Sequence, residues 1–600
     1  MISYLMHDKA TATTFYIMND KYLIKGNLII KCYMTERWKT LQHNGVLLPP
    51  PYEPKGLSIK IKGEVIKLTP EQEEMAYAFA KKKDTPYVKD RVFVSNFLYD
   101  FLKLFPEEYR SASIEDIDFS EVYLYVDREK EIKNSMDKES RKRLASERKM
   151  LRQLYKEKYG YAIVDGVRCE IANWVVEPPG IFMGRGEHPL RGRWKPRVYA
   201  NDIIINIGED APVPENDWKA VVHDHESTWL AKWDDKLTGK EKYVWLSDSA
   251  KIRQENDKTK YDSAMKLAKQ IDRILAMIEK GMKENGKDDN AEKKRKIATI
   301  CYLIYRLAMR VGDEKDTDEA DTVGATTLRV EHIRLSNGNR MDFDFLGKDS
   351  VRWQKSIEVN DSMDEVAYRN LEEFISGKKE GEEIFSGITS RHVNRFLNSI
   401  ADGLTAKVFR TYLATNVVND YLSSLDESIS NEPEYVKVYH ARMANLMAAV
   451  TCNHKRAIPK NFESTMEKKR SRLDELNSVR NELRDRLKSI GMGISADDKK
   501  SVKEAERLSK RIAKLDERID KLRLEIRLKQ ECMEYNLVTS LRNYIDPRAF
   551  YTWCKHVGLD WSKVYTSSLQ RKFLWVKETR MRWESIVRAY SNGSSKDKSN

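Results

Sequence analysis

Residues 502–526 read VKEAERLSKRIAKLDERIDKLRLEI. Val502, Ala505, Leu508, Ile512, Leu515, Ile519, Leu522 and Ile526 recur at steps of three and four, which places them on one stripe of an α-helix. Leu473, Leu476, Val479, Leu483 and Leu487 make a similar stripe upstream, and Gly491-Met492-Gly493 separates the two. The pattern predicts an antiparallel helical hairpin with coiled-coil packing over 463–530. Nearly every other position there is charged, so the hairpin is expected to stand in water as a thin coil. The globular cores must then lie on either side of it.

The chain of 600 residues is too long for a single core. Its 40% apolar content supports real cores, and its 34% charged content fits long solvated helices beside them. A net charge of +13, from 107 basic and 94 acidic residues, suits a polyanionic partner such as nucleic acid or an acidic membrane, or simply ordinary solubility. Asp20, Lys21, Lys25 and Lys31 interrupt the apolar stretch 15–34, so no membrane span is expected, and no signal peptide is evident. None of the six cysteines forms a C-x-x-C pair, which argues against zinc ribbons and thioredoxin-like sites and for free thiols in a reducing compartment. His223-Asp224-His225 has the look of a metal fragment, but no further ligand cluster is near, and a strand with two surface histidines is expected. No P-loop is present, and no cofactor is expected.

Segment by segment, 49–54 is proline-rich and extended, and 70–110 looks helical. Residues 135–158 form a highly charged helix, either a solvated face or one that meets phosphates. Residues 160–255 look β-rich, with strand candidates at 200–207 and 243–246. Two helices are expected over 260–310, the second ending at Arg310 ahead of Gly312. Residues 341–346 alternate Asp342 and Asp344 with Phe343 and Phe345, a half-buried strand, and 347–350 turn the chain into a second strand at Val351. Thr405 is expected to cap a helix carrying Arg410, and a further helix to end near His454. The tail from Ser591 reads as disordered.

Five short segments then carry a resemblance. They are LAMRVGDEK (307–315), FDFLGKDS (343–350), LTAKVFRTY (404–412), CNHKRA (452–457) and SLRNYIDPR (540–548), joined by PPGIFMGRG (178–186). The five resemble, in this order, the first arginine motif, the lysine hairpin, the second arginine motif, the histidine motif and the nucleophile motif of eukaryotic type IB DNA topoisomerases, whose catalytic domain is tyrosine-recombinase-like. The likeness runs from about Trp38 to about Trp575. It implies a multidomain α+β fold, a bilobed clamp on DNA with an α-rich catalytic lobe. The implied parts are a divergent segment 1–35, a DNA-binding cap 36–255, a catalytic core 256–460, a coiled-coil linker 461–533, a C-terminal domain 534–590 and the tail 591–600.

The chemistry calls for these residue types. Attack on a phosphodiester builds negative charge on its non-bridging oxygens. Arg310 and Arg410 can hold that charge with planar, permanently charged forks, and His454 can donate a further hydrogen bond. Tyr544 is the implied nucleophile, forming a 3′-phosphotyrosine that keeps the bond energy in a covalent link, in keeping with the missing ATP site. Lys348, on a strand turn, is the expected acid for the leaving 5′-oxygen. The resemblance places Arg185, Asp349 and Asn543 at the DNA cleavage site, where camptothecin-type inhibitors bind in relatives, and matches Thr539 to a DNA- or inhibitor-binding position just before the nucleophile motif. Asp313 departs from the asparagine usual in relatives; its carboxylate would repel a phosphate, so that DNA contact is not carried over. The long charged N-terminal tail that supplies nuclear targeting in relatives is not seen, and no targeting signal is identified.

The expected activity is ATP- and metal-independent relaxation of supercoiled double-stranded DNA by a nuclear monomer. Its rivals are a tyrosine recombinase, which needs sequence-specific synapsis, and a non-enzymatic DNA-binding protein. Taken singly, Arg310 reads equally as a helix-end charge, whereas Lys348 reads first as a turn lysine and His454 as a structural histidine; only the ordered set favours catalysis.

Overall fold

The computed structural model describes residues 36–286, 288–313, 321–492 and 499–591, with four short strands between residues 6 and 31. The remainder of the divergent segment, Gly493 of the expected hairpin break and the tail beyond Ser591 lie outside the described residues. The fold is α+β, in two compact units: Met1–Gly184 with His188–Arg253, and Arg185–Glu187 with Gln254–Asn600. No helix among the described residues is long and apolar enough to cross a membrane.

The first unit has two cores. In one, Phe93, Phe97 and Phe101 recur every fourth residue on helix Arg91–Phe101, which Asp90 caps by accepting from the Val92 amide. Phe79 stacks on Phe97 with ring centres 4.2 Å apart. Each such buried ring favours the fold by roughly 1.5–3 kcal/mol. In the other core, Ile203, Ile205 and Ile207 point inward at alternate positions. Their strand, Ile204–Asn206, pairs in parallel with Ala220–Val222 and antiparallel with Trp229–Asp234. It is shorter than the 200–207 expected, because Asp202 accepts the Tyr199 amide and closes a 3-10 turn over Ala200–Asp202. His223 and His225 lie past the strand that ends at Val222 rather than on it. His223 bonds the Ile207 carbonyl, and His225 bridges the Trp38 carbonyl and Glu209. Helix Lys138–Tyr159 buries none of its residues.

The second unit opens with three helices rather than two: Lys251–Ala268, Ile271–Met282 and α1 (Asp289–Leu307). α1 stops three residues short of Arg310. Ala308 turns left-handed at φ 53, and the chain runs on extended, with the Arg310 carbonyl accepting from the Ala325 amide at 2.9 Å. Gly312 is required here: it has φ +83, and a Cβ would sit 2.7 Å from the Gly324 backbone. A three-stranded antiparallel sheet follows, Ile333–Ser336, β1 (Arg340–Gly347) and β2 (Val351–Glu358). Met341, Phe343 and Phe345 face the core, while Asp344 turns outward to Arg352 across the hairpin.

α2 (Ala406–Ser423) carries Arg410. Thr405 holds the N-cap position but makes no side-chain cap; Asn394 accepts the Ala406 amide at 3.0 Å instead. α3 (Glu434–Thr451) ends three residues before His454. α4 (Phe462–Met492) and α5 (Lys499–Glu531) pair antiparallel: Arg484 meets Asp516, and Arg486 meets Glu504, with Leu476, Leu515 and Ile519 buried in the seam. The far end of α5 joins a different cluster, where Leu528 and Cys532 pack on Tyr439, Met443 and Leu446 of α3. α6 (Leu537–Asn543) then delivers Tyr544, and Asp546 caps α7 (Pro547–His556) through the Arg548 amide.

Candidate active site

The ends of these elements enclose a cavity of about 380 Å³, lined among others by Arg310, Asp313, Lys348, Lys407, Arg410 and Tyr544. Tyr544 sits at the C-cap of α6, its amide on the Ser540 carbonyl at 3.0 Å. Its ring is held on two sides. The Arg410 guanidinium lies 4.7 Å from the ring centre, and the His454 ring lies 5.0 Å away, tilted by 36°. Arg410 is 3% exposed; its Nη2 donates to the Cys452 carbonyl at 2.8 Å, and its Nε has no protein partner. His454 is 5% exposed, and neither ring nitrogen has a partner. Asn453, left-handed at φ 51, swings His454 back toward the cavity.

The electrostatics are dominated by positive charge, with Arg310, Lys348, Lys407 and Arg410 against the carboxylate of Asp313 on the lining. Burial, then the charges of Arg410 and Arg310, lower the His454 pKa to about 3, so its imidazole is neutral at ordinary pH. Burial and the Arg410 charge also lower the Arg310 pKa, partly offset by a hydrogen bond with Tyr544. A buried donor left unpaired costs about 1–3 kcal/mol, and two guanidinium groups repel each other. An anion in the cavity would relieve both. Among the described residues no group of three His, Cys, Asp or Glu side chains is placed to hold a metal ion.

Four of the expected residues thus line one cavity, Arg310, Lys348, Arg410 and Tyr544, with His454 against the tyrosine ring. Lys348 is exposed on the hairpin turn, where Asp349 and Ser350 are left-handed at φ 67 and φ 56. Asp349 pairs with Arg185, and Gly186 fits only because it lacks a Cβ, which would collide with the Ser350 side chain. Asn543 is exposed at the last residue of α6 and Thr539 is half-buried one turn earlier; neither lines the cavity. Asp313 lines it, but its carboxylate accepts the Ser390 amide at 3.1 Å, at the start of helix Ser390–Ile400.

Two residues escaped the sequence reading. Lys407 stands one turn before Arg410 on α2, a spacing that puts both on one face. Lys355 is drawn inward on β2 between buried Trp353 and Ile357. The alternation of that strand is the signal that would have found it.

The family model for the DNA-binding fragment of eukaryotic DNA topoisomerase I matches residues 36–246, that for its catalytic core 249–487, and that for the C-terminal topoisomerase domain 516–585. DNA topoisomerase 1 beta of Arabidopsis thaliana is 40% identical over 554 residues, covering 90% of this chain and 59% of the relative. DNA topoisomerase 1 of Homo sapiens is 36% identical over 554 residues, covering 90% of this chain and 70% of the relative. DNA topoisomerase 1 of Caenorhabditis elegans is 35% identical over 563 residues. The chain thus spans 59% of the length of the two plant relatives and more of the animal ones. With each of its two units matched by its own family model, the chain belongs to the eukaryotic DNA topoisomerase I family.

Proposed function

We propose that this chain is a type IB DNA topoisomerase that relaxes supercoiled duplex DNA through a 3′-phosphotyrosine at Tyr544, without ATP or a metal ion. The observation that carries this reading is the Tyr544 ring fixed between Arg410 and His454, beside Arg310, at a cavity where the Arg410 Nε and both His454 ring nitrogens lack protein partners. The scissile phosphate is the anion that these charges and unpaired donors suit. Tyr544 Oη attacks phosphorus as its proton passes to solvent; the bond to the 5′-oxygen breaks, and Lys348 supplies the proton that this oxygen takes. Arg310, Arg410 and neutral His454 donate to the non-bridging oxygens as their charge grows. Attack by the 5′-hydroxyl on the phosphotyrosine reverses the step after the strand has rotated.

Both units act on the duplex as a clamp in this reading, mainly through phosphates, so binding falls steeply with salt and depends little on sequence. The α4–α5 hairpin is the linker between the recombinase-like catalytic lobe and the C-terminal domain bearing Tyr544. The enzyme works as a monomer, in the nucleus. Camptothecin-type inhibitors would stack near Arg185, Asp349 and Asn543, where the Arg185–Asp349 pair must open to admit them. Relaxation of supercoiled plasmid in EDTA without ATP tests the activity: Tyr544→Phe must abolish it, and relaxation by that variant contradicts the proposal.

A further inference from the structure

Lys355 is a half-buried lysine that the reaction above does not use. Its Nζ donates to the Leu307 carbonyl at 3.0 Å and to the Thr451 carbonyl at 2.6 Å. These are the last residues of α1 and α3. Terminal helix carbonyls have no partner within their helix and carry the negative end of its dipole, so a cation is the fitting donor. One ammonium therefore serves two helix ends, and each leads within three residues to a cavity group. Leu307 leads through left-handed Ala308 to Arg310, and Thr451 through left-handed Asn453 to His454. The strand bearing Lys355 is itself the continuation of the turn that carries Lys348.

Neighbouring bonds reinforce the junction. Arg410 holds the Cys452 carbonyl, next along from the one Lys355 holds, and the Asn453 side chain donates to the Arg352 carbonyl of β2 at 3.3 Å. Burial pushes the Lys355 pKa down to about 8, with Cys452 opposing the fall and Arg410 adding to it. A half-buried lysine whose ammonium is turned onto two backbone carbonyls beside other cations is costly as mere filler, because an apolar side chain of equal length would pack there without that penalty.

We propose that Lys355 is a positioning residue for strand cleavage, its ammonium tying together the two helix ends that set Arg310 and His454 and the hairpin that presents Lys348. This rests on the function proposed above. A displacement of about 1 Å at a reacting group costs up to about 10²-fold in rate, which is the scale to expect.

The test compares Lys355→Met, which keeps the length and removes charge and donors, with Lys355→Arg, which restores both. Two readouts are needed, hydrogen exchange without DNA and single-turnover cleavage of a short duplex. Lys355→Met should speed exchange of amides 308–313 and 452–456 by about tenfold or more and leave those of α4 unchanged. It should slow cleavage about 10–100-fold with DNA affinity unaltered, and Lys355→Arg should recover most of the rate. In a His454→Gln background the Lys355→Met penalty should shrink, since the lysine acts partly through that histidine. Unchanged exchange at both segments, or parental cleavage by Lys355→Met, overturns the proposal. Should Lys355→Met not fold, Lys355→Gln, a neutral donor, carries the same comparison. Local loosening in Lys355→Met while the parent itself cleaves no DNA would instead support the tie and contradict the proposed function.

Discussion

The Arg410 guanidinium lies 4.7 Å from the centre of the Tyr544 ring, while its Nη2 is anchored to the Cys452 carbonyl. One side chain thus fixes the phenol by cation–π packing and still holds an unpaired Nε for a phosphate oxygen. The two duties need a planar cation. Arg410→Lys keeps the charge but loses the fork, so cleavage should fall about 10²–10³-fold with DNA affinity changed less than threefold. Single-turnover cleavage and equilibrium binding read the two effects separately; near-parental cleavage would deny the fork its role.

Lys348 should act as an acid. Replacing the bridging 5′-oxygen by sulfur gives a leaving group that needs no proton. Lys348→Ala should then be slowed about 10²–10⁴-fold on ordinary DNA and largely rescued on the sulfur substrate. Arg410→Ala should be rescued far less. Equal defects of Lys348→Ala on both substrates would leave Lys348 as a positioning group.

His454 makes stability depend on pH. Its folded pKa, about 3, lies below the unfolded value near 6.5, so between these limits the unfolded chain binds a proton that the folded one refuses. Stability is full above pH 6.5 and falls as pH drops below it. From pH 7 to pH 5 this group alone should remove about 2 kcal/mol. His43, buried with its pKa lowered to about 4, adds a loss of the same sign in parent and variant alike. His454→Gln should therefore lose less stability over that interval in chemical denaturation; identical losses would show that His454 is protonated in the folded state.

The hairpin should be dispensable for chemistry, since no cavity residue lies in it. Leu528 packs on α3, so the cut that spares this core is 473–519. A short flexible loop in its place should leave cleavage within a few-fold of the parent and alter religation or processivity. Complete loss of cleavage by the folded variant would contradict this.

Regular patterns were legible where one physical rule governs a segment. The apolar steps over 502–526 mark Leu515 and Ile519, which meet Leu476 in the seam, and the alternation of 341–346 marks Phe343 and Phe345 as inward. The site was legible as a set of residue types, not as geometry. The end of α1 was misplaced because Ala308, with no glycine to announce it, takes the left-handed turn ahead of Gly312. Thr405 was read as a cap because its residue type fits, although Asn394, distant in sequence, does that work. Lys355 was passed over because charge usually signals exposure. Its partners, two helix ends, come together only through tertiary folding.

The most direct test of the central claim is to trap the covalent complex. Parent protein is mixed with duplex DNA in EDTA without ATP, denatured, digested with protease and analysed by peptide mass spectrometry. The expected product is nucleotides joined through a 3′-phosphate to the peptide containing Tyr544, with no adduct from Tyr544→Phe. An adduct on another tyrosine, a linkage to a 5′-phosphate, or none from a parent shown to bind the DNA would contradict it.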